Sequence, residues 1–239
     1  MPNPDLGPVL EHPLDDAPRL AFADALGADP RAELIRIQLR HRSHGGTARE
    51  QELLIAHLDS WLAEVAPLVQ MAGLQRGFVE FASMTADQWL KNATQLFAVA
   101  PLLDMHLSGV AGRPEVFAVP QLARLRSLNL AHNRLDDADA VALAASPYVR
   151  GLRWLDLTNN QIGHRGLDAI AASPNLPVLQ WLGFADNVAP DPVPFPVLDY
   201  GVINAVVTPA IHAQLVAKVG PKPWLTARNS DAPPEPGEV

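Results

Sequence analysis

The sequence predicts an α/β solenoid: short parallel strands along a concave face, helices on the convex face, a helical cap in front and a strand-helix cap behind. Three observations carry this. The text LRSLNLAHNRL at 125–135 returns as LRWLDLTNNQI at 152–162 and LQWLGFADN at 179–187, so Leu125, Leu152 and Leu179 recur every 27 residues. Asn133, Asn160 and Asn187 keep the same interval. The segments between, 136–151 and 164–178, carry Ala and Leu or Ile at helical spacing and stop at Ser-Pro. A fixed period of this length marks units that bury their apolar faces only by stacking.

Taken in order, the chain has Pro2, Pro4, Pro8 and Pro13 at its start and is expected to be irregular there. Asp15 and Asp16 then cap a helix over about 18–26, which Gly27 ends. Asp29-Pro30 opens a second helix through Arg42, with Leu34, Ile35, Gln38 and Leu39 spread over an apolar and a polar face, and Gly45-Gly46 breaks it. Thr47 followed by Glu50 is a capping-box pattern. It opens a helix striped with Leu54, His57, Leu58, Trp61, Leu62 and Val65. Strands are expected near 78–82, 103–107, 126–130, 153–157 and 180–184, all parallel, with a trimmed convex segment around Gly109, Gly112 and PEVFAVPQLARL. After Asn187, four prolines at 190–196 predict an extended passage that could cover the concave tryptophans, then a strand at 201–208 and a helix from Pro209. The tail from Thr226 is polar, Pro-rich and expected to be disordered. The resulting division is 1–65 helical cap, 66–187 repeats, 188–225 C-terminal cap and 226–239 tail.

The L-x-x-L-x-L-x-x-N-x-L text with its 27-residue, strand-then-helix period resembles the ribonuclease-inhibitor type of leucine-rich repeat. The stretch PRLAFADALGADPRAELIRIQ at 18–38 resembles the repeat-companion domain found beside such repeats in bacterial proteins. Asp24, the run Asp29-Pro30-Arg31-Ala32-Glu33 and Arg36-x-Gln38 match that module, whereas Ala25 stands where Trp is expected and the Gly27-Ala28 linker is short. The resemblance implies an architectural role for the module and no established chemistry.

Composition narrows the function. The chain has 239 residues, 48% of them hydrophobic, enough for one extended core. A net charge of −8 disfavours a phosphate-tracking surface, so no nucleic-acid partner is expected. There is no cysteine, which removes disulfides, thiolate zinc sites and thiol nucleophiles. No signal-like start and no apolar run of membrane-spanning length is present, so a cytoplasmic protein without a membrane partner is expected.

Strand alternation assigns the concave residues. One column reads Phe78, Asp104, Ser127, Trp154, Trp181; the central one Glu80, His106, Asn129, Asp156, Gly183; the third Ala82, Ser108, Ala131, Thr158, Ala185. Trp154 and Trp181 fall side by side and, with Asp156, form the expected anchor for a protein or peptide partner that is basic or aromatic-rich. The partner-binding set is Glu80, Asp104, His106, Asn129, Trp154, Asp156, Thr158 and Trp181. His106 among carboxylates permits a shifted pKa, but lone among histidines on that face it makes neither a metal site nor a catalytic pair. His164 is expected to cap a helix. Ser108 and Thr158 have no adjacent base, and no phosphate-binding loop follows a strand. The expectation is a binding module with no enzyme activity and no cofactor. The alternatives are an accessory component of an enzymatic or biosynthetic pathway presenting a peptide substrate in the same groove, and a structural solenoid that oligomerises through an edge.

Overall fold

The computed structural model describes residues 4–41, 46–187, 216–217 and 220–225. The expected cover at 189–196, the strand at 201–208 and the tail beyond Thr226 lie outside these residues, and the expected helix from Pro209 falls almost wholly outside them. At the front stand helices α1 (Gly7–Glu11), α2 (Asp16–Leu26), α3 (Pro30–His41) and α4 (Ala48–Leu62). Then come strands β1 (Met71–Gln75) and β2 (Phe78–Thr85), helix α5 (Ala86–Val99), β3 (Asp104–Ser108), β4 (Ser127–Asn129), helix α6 (Asp137–Ala145), β5 (Trp154–Asp156), helix α7 (His164–Ala172) and β6 (Trp181–Gly183). They form one 6-stranded sheet in the order β1-β2-β3-β4-β5-β6. β2 to β6 run parallel, and β1 joins β2 antiparallel. With its helices the sheet forms an α/β repeat fold.

The 27-residue text is explained by what each position does. Leu125, Leu128, Leu130 and Leu135, and their equivalents Leu152, Leu155, Leu157 and Ile162, are buried in one continuous core with α5, α6 and α7. His132, Asn159 and Asp186, one per repeat, turn the chain after the strand with φ of 58°, 54° and 53°. His, Asn and Asp are among the side chains that best tolerate this left-handed conformation. The next residue is the ladder asparagine. Asn160 Oδ1 accepts from the backbone N–H of Asn133 and Leu135, both at 3.0 Å, and its Nδ2 donates to the carbonyls of Leu130 and Leu157. Asn133 and Asn187 repeat the pattern on Val110 N–H and Ile162 N–H. Each amide thus satisfies its own turn and the turn before it. On the convex side the Ser-Pro stops make a second stitch: Ser146 Oγ donates to Phe117 O at 2.6 Å, and Ser173 Oγ donates to Ala144 O. The trimmed convex segment between β3 and β4 is a pair of short 3₁₀ turns, Pro114–Ala118 and Pro120–Arg124.

Several expectations at the ends need correction. Residues 7–11 are helical, because Pro8 sits at a helix start where its missing N–H costs nothing. The capping box at Thr47 is half formed: Thr47 Oγ1 accepts from Glu50 N–H, but the Glu50 side chain is buried and accepts from Gln38 Nε2. Gly163 holds the N-cap of α7, with His164 as its first helical residue. The strand β1 was not expected. It is made by a two-residue turn at Arg76 and Gly77, both with positive φ (48° and 79°), the geometry that a tight hairpin requires.

That hairpin is gripped by the front helices. A Cβ on Gly77 would lie 2.1 Å from Ile35 Cγ1. Gly77 N–H donates to Gln38 Oε1 at 2.6 Å, and Gly77 O accepts from Arg31 Nε at 3.2 Å. The Arg31 guanidinium lies over the rings of Phe22 and Phe78. Phe78 itself is buried with Val9, Phe22, Ala23, Ala32 and Ile35. Arg36 pairs with Asp24 across α2 and α3, and Glu33 pairs with Arg49 of α4. Of the residues quoted for the companion-module resemblance, Asp24, Glu33 and Arg36 hold the helices to one another, and Arg31 and Gln38 hold them to the first hairpin.

Candidate functional site

The pairing register defines the concave columns, and it differs from the expected one at β2. Phe81, not Phe78, stands opposite Asp104, and Ser83, not Glu80, stands opposite His106. The slip is three residues, so it also exchanges the faces. On its other edge the same strand carries a bulge: Gly73 pairs with Phe81 but Leu74 with Val79, leaving Glu80 as the extra residue. From β3 onward the columns are as expected: Asp104, Ser127, Trp154, Trp181 and His106, Asn129, Asp156, Gly183.

Glu80 accordingly leaves the candidate set. It is 1% exposed, and its carboxylate is shared between Arg19, itself fully buried, and Arg76, which reaches both oxygens at 3.0 and 2.9 Å. Arg76 also donates to the carbonyls of Pro13 and Leu14. Burial pushes the Glu80 carboxyl up while the two guanidiniums pull it back. This is a joint between the front helices and β2, not an open surface.

Trp181 is the second correction. The expected pair of exposed indoles is not formed, because Trp181 is only 7% exposed. Its ring lies along its own strand over Gly183, where a Cβ would come within 2.6 Å of Trp181 Cη2 and 2.5 Å of Asp156 Oδ1. Gly183 is the seat of that ring, not a gap in the column. Trp154 remains half-buried.

The remaining candidates converge. His106, Asn129, Asp156 and Thr158, with Gln70, Ser83, Ser108, Ala131 and His132, line a groove of about 460 Å³ along the central and third columns. Asn129 Oδ1 accepts from Ala131 N–H, and Asp156 Oδ1 accepts from Thr158 N–H, both at 2.9 Å, so repeating turns fix both side chains and leave their other polar atoms toward the groove. The His106 ring meets Phe81 edge-on at 4.9 Å. Burial holds the His106 imidazole below its ordinary value, against the opposing pull of Asp104 and Asp156. Asp104, 9% exposed, is pushed up by burial, partly offset by its hydrogen bond with Ser127 and the nearby His106. Among the described residues no group of three or more His, Asp or Glu is arranged to hold a metal ion. Sequence reasoning missed His132, Ser83 and Gln70 in the groove. The 27-residue spacing of His132, Asn159 and Asp186 was the available signal for the first of these.

Strands stacked one per repeat, an asparagine at each turn and leucines beneath define an α/β repeat protein. Residues 124–144 and 152–171 match the family model described as Leucine Rich repeat, which supports a leucine-rich repeat protein. No curated protein and no solved structure matches the chain. Leucine-rich repeats generally mediate protein–protein interaction.

Proposed function

We propose that this protein is a binding module without catalytic chemistry, a short leucine-rich repeat solenoid closed by a helical N-terminal cap and a C-terminal cap, which takes a protein or peptide segment across its concave strands. One observation carries this reading. The leucines and asparagines of the repeat are consumed by the fold, whereas His106, Asn129, Asp156 and Thr158 line an open groove with half-buried Trp154 in the adjacent column. Polar groups held by backbone beside an aromatic anchor are what a specific segment needs for register and contact area. Asp156 and a net charge of −8 favour a partner with a basic residue near an apolar or aromatic anchor. A cytoplasmic site of action fits the lack, among the described residues, of any helix long and apolar enough to cross a membrane.

The test is selection of peptides on the immobilised full chain, followed by measured affinity for variants. Trp154→Ala is expected to cost about 2 kcal/mol, roughly thirtyfold, and Asp156→Ala to cut affinity for basic peptides in a salt-dependent way. Arg165→Ala, exposed on α7, is expected to change little. Equal losses on both faces, or none at Trp154, would sink the concave reading.

A further inference from the structure

The two rims of the repeats carry opposite charge. The stretches leading into β4, β5 and β6, 119–126, 146–153 and 173–180, hold four arginines and no acidic residue, whereas those leaving β4 and β5, 131–139 and 158–168, hold four aspartates against two arginines. Among the described residues none of Arg124, Arg126, Arg150 and Arg153 pairs with a carboxylate. Arg124 and Arg150 are tied to backbone, the first to Phe97 O and Leu10 O, the second to Pro174 O. Arg126 and Arg153 are the two that border the concave face, where they share a hollow of about 130 Å³ with Trp154 and Leu14. They stand one repeat apart on neighbouring strands, and Arg153 N–H donates to Arg126 O at 2.8 Å. Arg126 Nη1 donates to Gly151 O at 3.0 Å, so its guanidinium lies along the rim toward the turn that precedes Arg153. A Cβ on Gly151 would come within 2.9 Å of that nitrogen, and glycine leaves it room. Arg153 is exposed. The carboxylates beside the same hollow do not neutralise the pair: Glu80 is buried between Arg19 and Arg76, and Asp104 is buried against Ser127. In a chain of net charge −8 this is an uncompensated positive patch beside the groove.

The order of residues along β5 says what such a patch would select. Arg153, Trp154, Leu155 and Asp156 follow one another, so roughly 10 Å of extended chain separates the arginines from Asp156, with half-buried Trp154 between them. An extended segment that crosses the strands over Trp154, its pleat spread across the surface, sends successive side chains to opposite sides. One side meets two guanidiniums and the other meets Asp156. Guanidiniums bond carboxylates in a planar two-point geometry, and arginines on adjacent strands, about 4.8 Å apart at the backbone, suit one carboxylate between them. A polyphosphate chain would satisfy this pair and then run into Asp156 and the aspartates of the opposite rim, whereas a single carboxylate needs only the pair. We propose that Arg126 and Arg153 hold an acidic side chain of the segment bound across the concave face, at the position next to the basic residue that Asp156 takes. The partner is then a peptide segment with Asp or Glu adjacent to Lys or Arg. This assignment rests on the concave-binding reading and adds a specificity position to it.

The test is selection from a random peptide library on the immobilised full chain at physiological salt, run in parallel on the parent protein, Arg153→Gln, Arg126→Gln/Arg153→Gln and Asp156→Asn. The parent is expected to enrich Asp or Glu next to Lys or Arg. Both arginine variants should lose the acidic preference and keep the basic one, and Asp156→Asn should do the reverse. Arg153→Gln carries the test if the double variant does not fold, because Arg153 is exposed. Fluorescence anisotropy then compares a selected peptide with its Glu→Gln and Glu→phosphoserine counterparts: the glutamine form should bind the parent at least about tenfold more weakly, and Arg153→Gln should remove most of that difference. Arg165→Gln, which removes the same charge from the convex side, should leave it unchanged. Absence of acidic enrichment, an acidic preference that survives in Arg153→Gln, an equal loss in Arg165→Gln, or tight binding of the phosphoserine form alone would each overturn the assignment. Selected peptides without an acidic preference that still lose affinity with Trp154→Ala would overturn it and leave concave binding intact. No selected peptide, or peptides indifferent to Trp154→Ala, would overturn both.

Discussion

Replacing Asn160 by leucine isolates the contribution of the asparagine ladder. The side chain is 4% exposed, and leucine has nearly its shape, so the change removes hydrogen bonds without admitting much water. The N–H groups of Asn133 and Leu135, each bonded to Asn160 Oδ1 at 3.0 Å, lose their acceptor inside the turn. The Leu157 carbonyl keeps a donor, because Asn187 Nδ2 also reaches it at 2.9 Å, but the Leu130 carbonyl loses the amide at 3.0 Å. Three stranded groups at about 1–3 kcal/mol each, less the gain from burying an apolar side chain, give a net loss of about 3 kcal/mol. For a chain of this size that corresponds to a fall in Tm of about 6–12 °C by calorimetry. Amide exchange adds a local readout: protection at Asn133 and Leu135 should fall further than protection at Leu128. Asn129→Leu is the control, since that half-buried side chain makes one bond, to Ala131 N–H, and should cost less than about 1 kcal/mol. Equal losses in the two variants, or an Asn160→Leu protein melting like the parent, would refute the ladder's role.

Three further outcomes are expected. Glu80→Gln leaves two arginines without their carboxylate, one of them wholly buried, and should cost about 3–5 kcal/mol in urea unfolding; a loss below about 1 kcal/mol would mean that Arg19 and Arg76 find other acceptors. Gly77→Ala places a methyl group against Ile35 at a φ of +79° and should speed proteolysis of the front helices more than it shifts cleavage in the repeats, whereas unchanged digestion would contradict the hairpin grip. Because burial lowers the His106 pKa, the folded state takes up its proton less readily than the unfolded chain, so this group's share of stability is lost as pH falls through the ordinary histidine value of about 6.5. Asp104, pushed up by burial, acts in the opposite sense, adding stability as pH falls through its raised value. His106→Gln should flatten the stability profile just below pH ~6.5, and an unaltered profile would remove His106 from it.

The features legible in the sequence are those a repeat enforces locally. A leucine every second position must face the core, and a buried turn with unpaired backbone groups needs an amide at a fixed place. The spacing of Leu125, Leu152 and Leu179, and of Asn133, Asn160 and Asn187, therefore located β4, β5, β6, the convex helices and the columns from Asp104 to Trp181. What the tertiary structure alone decided lies where distant segments meet. FVEFASM offers several apolar residues in alternation, and nothing local says whether Phe81 or Met84 is the equivalent of Leu130; Met84 takes the place, opposite Leu107, and the strand carries a bulge at Glu80 on its β1 side. That bulge coincides with contacts from Arg19, 61 residues away, and from the hairpin turn. Likewise the sequence places Gly183 in the central column and no more, and only in three dimensions is it the space into which the Trp181 ring folds. Periodicity specifies what each repeat must do for its neighbour, whereas register at the first strand and side-chain direction at the last depend on packing against segments that do not share the period.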